Sequence, residues 1–189
     1  MELFKVRKKE NTLTQILIKC SSGNQKAQEH LYKEYYGYAM SIALRFSNNR
    51  DSAVDILNNS FLNVFQYLTK NGEKEIKNFK LWLRKIIINK SIDYYRSNKN
   101  KYDIEYDEYL PDTDIPEDVI SKMTAEDIIF QLQKLPDTYR LIFILYEIEG
   151  YSHKEISDKL NIKETLSRSN LSRAKNMLRT ILQKADLHE

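Results

Sequence analysis

The chain has 189 residues, of which 41% are hydrophobic and 30% are charged, and its formal net charge is +3. These values fit one large or two small globular domains and argue against a membrane protein, since no apolar run approaches the roughly 18 residues of a spanning helix. One cysteine, three histidines and four scattered glycines give no disulfide, no zinc cluster and no phosphate-binding loop, so we expect no cofactor, no metal and a cytoplasmic location.

Charge is unevenly distributed along the chain. Residues 1–100 carry 18 Lys and Arg against 9 Asp and Glu, residues 101–127 carry 2 against 10, and residues 128–189 carry 10 against 8. This pattern predicts two modules that meet a polyanion, joined by an acidic segment that avoids it. The alternative is a solvated surface with uneven charge.

The scarcity of glycine and proline predicts an all-α fold, which begins with a bundle of three long helices behind a short helix around residues 14–20. Asn24 is a candidate N-cap of the first long helix, which should end near residues 47–49. Its apolar residues recur at spacings of three and four, as one buried helix face requires. They are Leu31, Tyr35, Tyr38, Ile42 and Phe46.

Two further helices complete the predicted bundle. Asp51 or Ser52 can cap the next helix, which Asn71 and Gly72 should end, and Asn78 can cap the last one, from residue 79 to about residue 97. Their predicted core residues are Ala53, Leu57, Phe61, Val64 and Leu68 in the first of the two, and Phe79, Leu83, Ile86, Ile87 and Tyr94 in the second. A bundle of this size can fold alone.

A second face of the last bundle helix combines an aromatic ring with polar and basic groups. Its members are Trp82, Lys85, Asn89, Asp93 and Arg96, at spacings of three and four. Cations follow phosphates and rings stack on unpaired bases, so the pattern suits single-stranded nucleic acid. The alternative is a solvated face with Trp82 in the core, and for Trp82 alone that interpretation is the better one.

After an acidic linker with Pro111 and Pro116, four more helices are predicted. Their boundaries are marked by Thr124, Pro136, Gly150 and a capping box of Ser152 and Glu155. The third helix is short and ends near residue 160. A turn and a long basic helix over about residues 163–184 follow, which is the sequence form of a helix-turn-helix.

The last helix carries a candidate DNA-reading face. Arg168, Ser169, Ser172 and Arg173 should project to one side, whereas Leu166, Leu171, Ala174 and Leu178 should face the core. Arginine can form two hydrogen bonds to the edge of guanine, and small hydroxyls allow close approach to bases. An ordinary solvated basic face is the alternative, but the preceding capped helix and turn favour DNA reading.

Several stretches, in this order and spacing, carry a family resemblance. They are Leu31-Tyr32-Lys33-Glu34-Tyr35-Tyr36, residues 49–61, Phe79-x-x-Trp82-Leu83-x-x-Ile86, Asn89, Asp93-Tyr94-x-Arg96, Leu135-Pro136-x-x-x-Arg140, Glu149-Gly150-Tyr151-Ser152-x-x-Glu155-Ile156 and residues 167–175. Together they resemble the extracytoplasmic-function (ECF) group of bacterial sigma-70 RNA polymerase sigma factors, over about residues 13–97 and 125–182.

The resemblance implies a promoter-specificity subunit that is not an enzyme. Two small helical domains are expected: sigma region 2 at residues 13–97 and the helix-turn-helix of region 4 at residues 125–184. The acidic linker at residues 98–124 would thread through the polymerase near the RNA exit route. The implied partners are bacterial core RNA polymerase, promoter DNA and an anti-sigma factor, which in this family is frequently membrane-anchored.

The same resemblance, together with the two polar faces, assigns three sets of site residues. Core polymerase would bind Asp55, Asn58, Asn59, Phe61, Leu62 and Phe65. The melted minus-ten element would contact Lys80, Trp82, Lys85, Asn89 and Arg96. The minus-thirty-five element would contact Lys163, Thr165, Arg168, Ser169, Ser172 and Arg173. No catalytic or metal-binding residue is expected.

Two other classes of protein remain open from the residues alone. A helix-turn-helix repressor or activator would bind duplex DNA as a dimer and would need no polymerase. A helical-repeat scaffold would fit the tyrosine-rich helices, although the sequence shows no period of about 34 residues.

Overall fold

The computed structural model describes residues 2–98 and 124–186, and all regular secondary structure within them is helical. The helices are α1 (Glu2–Ser21), α2 (Gln25–Phe46), α3 (Arg50–Asn71), α4 (Phe79–Asn98), α5 (Ala125–Gln133), α6 (Asp137–Phe143), α7 (His153–Leu160) and α8 (Glu164–Asp186), and a π-helical turn (Ile144–Ile148) follows α6. The predicted all-α fold class is confirmed. Most of the predicted acidic linker lies outside the described residues.

The described residues form two compact units. The first contains residues 2–43 and 54–90, and the second contains residues 44–53, 91–98 and 124–186. The boundaries of these units fall within α2, α3 and α4. The limits of the two domains proposed from the sequence stay a prediction.

Helix α1 is longer than the sequence analysis predicted. A short helix was expected around residues 14–20, whereas the helix begins at Glu2. None of its residues is glycine or proline, so no residue in the segment interrupts the helical backbone. Gly23 follows the helix with φ +77°, the left-handed conformation that commonly ends helices, and its N–H donates to the Cys20 carbonyl at 3.0 Å.

Side-chain caps define the starts of the bundle helices. The predicted caps are confirmed at Asn24, whose Oδ1 accepts from the Ala27 N–H at 3.0 Å, and at Asn78, whose Oδ1 accepts from the Leu81 N–H at 3.1 Å. The prediction for α3 is wrong. Its cap is Asn49, which accepts from the Ser52 N–H at 2.9 Å, because Asp51 and Ser52 already lie within the first turn.

Many of the predicted apolar residues form the core of the first unit, but Tyr35, Tyr38 and Ile86 are only half-buried. The fully buried members of this core include Leu31, Ile42, Leu57, Phe61, Val64, Leu68, Leu83 and Ile87. Two aromatic pairs join the helices: Tyr32 lies 4.8 Å from Phe61, and Tyr35 contacts Phe79 edge-on at 4.8 Å between ring centroids. Burial of each such side chain stabilises the fold by about 1.5–3 kcal/mol.

The reactivity of the Cys20 thiol can be used to test how α1 packs. The side chain is 0% exposed, and burial raises the pKa of its thiol to about 11. At pH 8 we expect the native chain to react with a maleimide about 100-fold more slowly than the urea-unfolded chain, whose thiol has a pKa of about 8.5. Equal rates of maleimide labelling in the native and the urea-unfolded chain would show that the Cys20 thiol is not covered in the folded protein.

The raised pKa of Cys20 also predicts a pH dependence of stability. Because the pKa of the thiol is higher in the folded chain than in the unfolded chain, the free energy of unfolding should fall as the pH rises from about 8.5 toward 11. This fall should be smaller in Cys20→Ala.

Helix α5 of the second unit begins with a capping box. The Thr124 hydroxyl accepts from the Asp127 N–H at 3.2 Å, and the Asp127 carboxylate accepts from the Thr124 N–H at 2.9 Å. After α6 the sequence predicted a regular helix to Gly150. The structure instead has the π turn, in which the Glu149 N–H donates to the Ile144 carbonyl at 3.0 Å, before Gly150 ends it at φ +74°.

The predicted helix-turn-helix is confirmed. A capping box opens α7, with the Glu155 carboxylate accepting from the Ser152 N–H at 2.8 Å. Asn161 ends α7 in the left-handed region at φ 52°, and α8 begins at Glu164. The apolar residues Ile156, Leu160, Leu171, Ala174 and Leu178 are buried.

A buried arginine holds the second unit together. Arg140 is 2% exposed and donates to the Leu135 carbonyl at 3.0 Å, to Asp137 Oδ1 at 2.9 Å and to Asn48 Oδ1. Burial lowers the pKa of its guanidinium, and the neighbouring Asp137 carboxylate opposes that shift. The arginine of the Leu-Pro-x-x-x-Arg stretch therefore has a structural role.

Candidate nucleic-acid and protein interfaces

One face of α3 presents an apolar side chain surrounded by polar ones. Asp55, Asn58, Asn59 and Leu62 are exposed, and their spacings of three and four place them on one side of the helix. Leu62 is 54% exposed and is one of the large apolar residues that the first unit leaves open to solvent. We refer to these residues and half-buried Phe65 as the α3 face. An apolar centre with a polar rim is typical of protein interfaces.

Hydrogen bonds orient the polar groups of the α3 face. Asn58 Oδ1 accepts from the Tyr32 hydroxyl at 3.0 Å, and Asn59 Nδ2 donates to the Asp55 carbonyl at 2.9 Å. Phe61, the sixth residue predicted to bind polymerase, is only 1% exposed and lies 4.8 Å from the Tyr32 ring. It therefore supports the face from beneath and presents no accessible surface of its own.

The polar face of α4 is accessible within the first unit. Lys85 and Asn89 are exposed, and Trp82 is half-buried between the Tyr67 ring at 5.0 Å and the Phe79 ring at 5.9 Å. The structure thus places Trp82 between the two interpretations of the sequence, since its indole contacts two rings and the residue is only half-buried. A half-buried indole on the same face as a lysine can stack on a base.

Lys80 and Arg96 are placed differently from the other α4 candidates. Lys80 precedes Trp82 by two residues, which puts it on nearly the opposite side of the helix, and its Nζ lies 4.5 Å above the Tyr38 ring. Arg96 belongs to the second unit, where it is exposed and donates to the Lys159 carbonyl. Lys80 therefore does not share the face of Trp82, Lys85 and Asn89.

The residues predicted to read duplex DNA are only partly exposed. Lys163, Thr165 and Arg168 are exposed, and Arg168 pairs with Glu164 across one helical turn at 2.5 Å. Ser169, Ser172 and Arg173 are buried, contrary to the expectation of one open side. Arg173 is 8% exposed, and α8 is buried around most of its circumference over residues 167–174.

Two contacts involving α8 escaped the sequence analysis. His153 Nδ1 lies 3.0 Å from the Ser167 hydroxyl, and Lys175 forms an ion pair with Glu147 of the π turn at 3.0 Å. Each joins residues 14 or more positions apart, so no helical spacing reveals it. Ser167 is small and is fully buried at its contact with His153.

Comparisons with known proteins identify both halves of the chain. The sigma-70 region 2 model matches residues 31–101, and the sigma-70 region 4 model matches residues 125–178. Together these matches cover about two thirds of the chain. Region 4 of the match contains the helix-turn-helix, and region 2 contains both the α3 face and the polar face of α4.

Individual relatives cover nearly the same range. The ECF RNA polymerase sigma factor SigW of Bacillus subtilis is 27% identical over 85% of this chain and 91% of its own length. The sigma factor YlaC of the same organism is 29% identical over 80% of this chain and 92% of its own length. The solved structure of CnrH in complex with the cytosolic domain of CnrY gives 21% identity over 90% of this chain and 97% of the matched chain, with a TM-score of 0.43.

None of the described helices combines the length and the apolar character that crossing a bilayer requires.

Proposed function

Because this chain belongs to the extracytoplasmic-function group of the sigma-70 family of RNA polymerase sigma factors, we propose which of its surfaces carry out each step of that function. Sigma factors of this group direct core RNA polymerase to specific promoters and promote DNA opening. The observation that carries the assignment is the presence of regions 2 and 4, in that order, each folded as helices.

We assign core polymerase binding to the α3 face. The exposed apolar side chain of Leu62 lies among the hydrogen-bonded amides of Asn58 and Asn59 and near the Asp55 carboxylate. Burial of Leu62 against a partner would remove apolar surface from water, while Asp55 would add electrostatic selectivity. Phe61 takes part indirectly, by packing behind the face.

We assign the opened minus-ten strand to Trp82, Lys85 and Asn89, and the minus-thirty-five duplex to the start of α8. The lysine attracts phosphate, the amide can pair with a base edge, and the indole supplies a stacking surface. Lys163, just before α8, and Thr165 and Arg168, in its first turns, are exposed. Ser169, Ser172 and Arg173 are buried, so they can contact DNA only if the residues around them move. Arg96 can contact the opened minus-ten strand only after its hydrogen bond to the Lys159 carbonyl breaks.

The remaining proposals follow from the family. The chain acts as a regulatory subunit without catalytic chemistry of its own, and it works in the bacterial cytoplasm, where core polymerase and promoters are found. Residues 13–97 and 125–184 form the two functional domains, and residues 98–124 link them. An anti-sigma factor is the expected inhibitory partner.

Transcription of fragmented genomic DNA, followed by sequencing of RNA 5′ ends, tests the function. Core polymerase with the chain should produce a set of start sites that neither component gives alone, and these sites should share two upstream motifs. A helix-turn-helix repressor would instead protect DNA from cleavage without polymerase. Protection by the chain alone, with no new start sites, would contradict the proposal.

A further inference from the structure

The half-buried indole of Trp82 contacts two other rings. The Tyr67 ring, from the last turns of α3, lies 5.0 Å from it at an interplanar angle of 57°, and the Phe79 ring lies 5.9 Å away at 47°. Phe79 is 3% exposed and packs edge-on against Tyr35, so it belongs to the rigid core. Tyr67 is less buried than Phe79.

Tyr67 is anchored instead through its hydroxyl. This group donates to Glu75 Oε2 at 3.1 Å, and the hydrogen bond raises the pKa of the Tyr67 phenol. Glu75 lies in the loop of residues 72–78 between α3 and α4. One end of the Tyr67 side chain therefore contacts the indole and the other end contacts the loop.

The loop that carries Glu75 is itself an ordered turn. The Gly72 N–H donates to the Leu68 carbonyl at 2.8 Å, and Gly72 adopts φ +71°, which a side chain would strain. The Ile76 N–H donates to the Glu73 carbonyl at 2.9 Å, and the Lys77 N–H donates to the Glu75 carbonyl at 3.2 Å. Backbone hydrogen bonds on both sides thus hold Glu75 in place.

The loop also brings positive charge to this end of the bundle. Lys74 and Lys77 flank Glu75 and are exposed, as is Lys70 at the end of α3. The negative charge of Glu75 among these lysines would by itself weaken the attraction of the loop for phosphate. The hydrogen bond that Glu75 accepts from the Tyr67 hydroxyl gives this side chain a structural role instead.

We propose that Tyr67 and Glu75 are positioning residues that fix the orientation of the Trp82 indole for stacking on an unpaired base. The inference rests on the assignment of Trp82 to the opened strand. An indole held in its binding orientation loses less conformational freedom when a base stacks on it, so preorganisation increases affinity without a new contact. Neither Tyr67 nor Glu75 needs to touch DNA.

Fluorescence of the full-length chain tests the first half of this inference. Trp82 is the single tryptophan, so tryptophan emission and its quenching by iodide report on this side chain alone. Tyr67→Phe and Glu75→Ala both remove the hydrogen bond, and each should change the iodide quenching of Trp82. Glu75→Gln keeps an acceptor oxygen and should behave as wild type, although it removes the same charge as Glu75→Ala.

Binding of a labelled oligo-dT strand by the reconstituted holoenzyme tests the second half, with core polymerase alone as the background. Tyr67→Phe and Glu75→Ala should each weaken binding about 2- to 5-fold, in the range of one hydrogen bond near solvent. The double variant should be no worse than either single one, because both remove the same bond. Glu75→Gln should restore the wild-type affinity.

Trp82→Ala separates this inference from the function on which it depends. Its loss of stacking should weaken oligo-dT binding about tenfold or more. If Trp82→Ala binds as wild type, the assignment of Trp82 to the opened strand is wrong, and the positioning role is lost with it. If Trp82→Ala is defective but Tyr67→Phe and Glu75→Ala bind normally, only the positioning role is wrong. Equal defects in Glu75→Gln and Glu75→Ala would show that Glu75 acts through its charge, which also overturns the inference.

Discussion

The double variant Asp55→Lys with Phe65→Ala should fail to co-purify with core RNA polymerase. The few residues that dominate a protein interface contribute about 2 kcal/mol or more each, so if Asp55 and Phe65 are two of them, loss of both should cost about 4 kcal/mol. That free energy corresponds to a roughly 1,000-fold weaker affinity, enough to remove the complex from a pull-down. The measurement is co-purification of tagged chain with core polymerase, followed by titration of the purified components.

A matched control distinguishes lost binding from lost folding. Glu29→Lys with Ile18→Ala makes the same two kinds of change, at an exposed carboxylate on α2 and an exposed apolar residue on α1 of the same unit. This control should bind core polymerase normally. Both double variants should keep the wild-type circular dichroism spectrum. Normal co-purification of the Asp55 and Phe65 variant would contradict the role of the α3 face.

Replacement of Arg168 by Ala should weaken binding of the holoenzyme to its upstream promoter element and relax the preference at one base pair. A guanidinium that forms two hydrogen bonds to a guanine contributes about 1–3 kcal/mol of discrimination. Loss of its exposed ion pair with Glu164 should change folding stability by only about 0.3–0.5 kcal/mol. Binding curves on a promoter series with single base substitutions measure both the loss and its position.

Two further variants show whether Arg168 reads a base or binds phosphate. Lys163→Ala, at the exposed residue before α8, should weaken binding to every promoter alike and reduce the salt dependence by about one phosphate contact. If Arg168→Ala gives that same uniform pattern, Arg168 binds phosphate and does not read bases. Arg173→Ala should relax the preference at a different base pair, and because Arg173 is 8% exposed it should also alter the free energy of unfolding.

The starts of four helices show where sequence reasoning is strong. Asn24, Asn78, Thr124 and Ser152 were predicted as caps, and each accepts a hydrogen bond from a backbone N–H three residues later. Such a contact depends on neighbours along the chain, so it can be predicted from them. The error at α3 has the same basis, since Asn49, Asp51 and Ser52 are all capable caps and lie within one turn.

Surface exposure was harder to predict. The family resemblance proposed Asp55, Asn58, Asn59 and Leu62 as part of a binding surface, and all four lie exposed on one side of α3. Helical spacing failed for α8, where two serines and an arginine expected on the open side are buried beside the apolar residues. Polarity indicates exposure only when a helix has one buried stripe, and α8 is covered more widely.

The sequence by itself determined the all-α fold, four of the helix caps, the helix-turn-helix and the family, because these depend on residue order and on spacings within a few turns. The tertiary structure decided which polar residues are accessible and which long-range contacts orient them. The 5.0 Å contact of Tyr67 with Trp82 and the ion pair of Lys175 with Glu147 join residues far apart in the chain. Their proximity follows from how the helices pack, and helix packing depends on the shapes of many side chains at once.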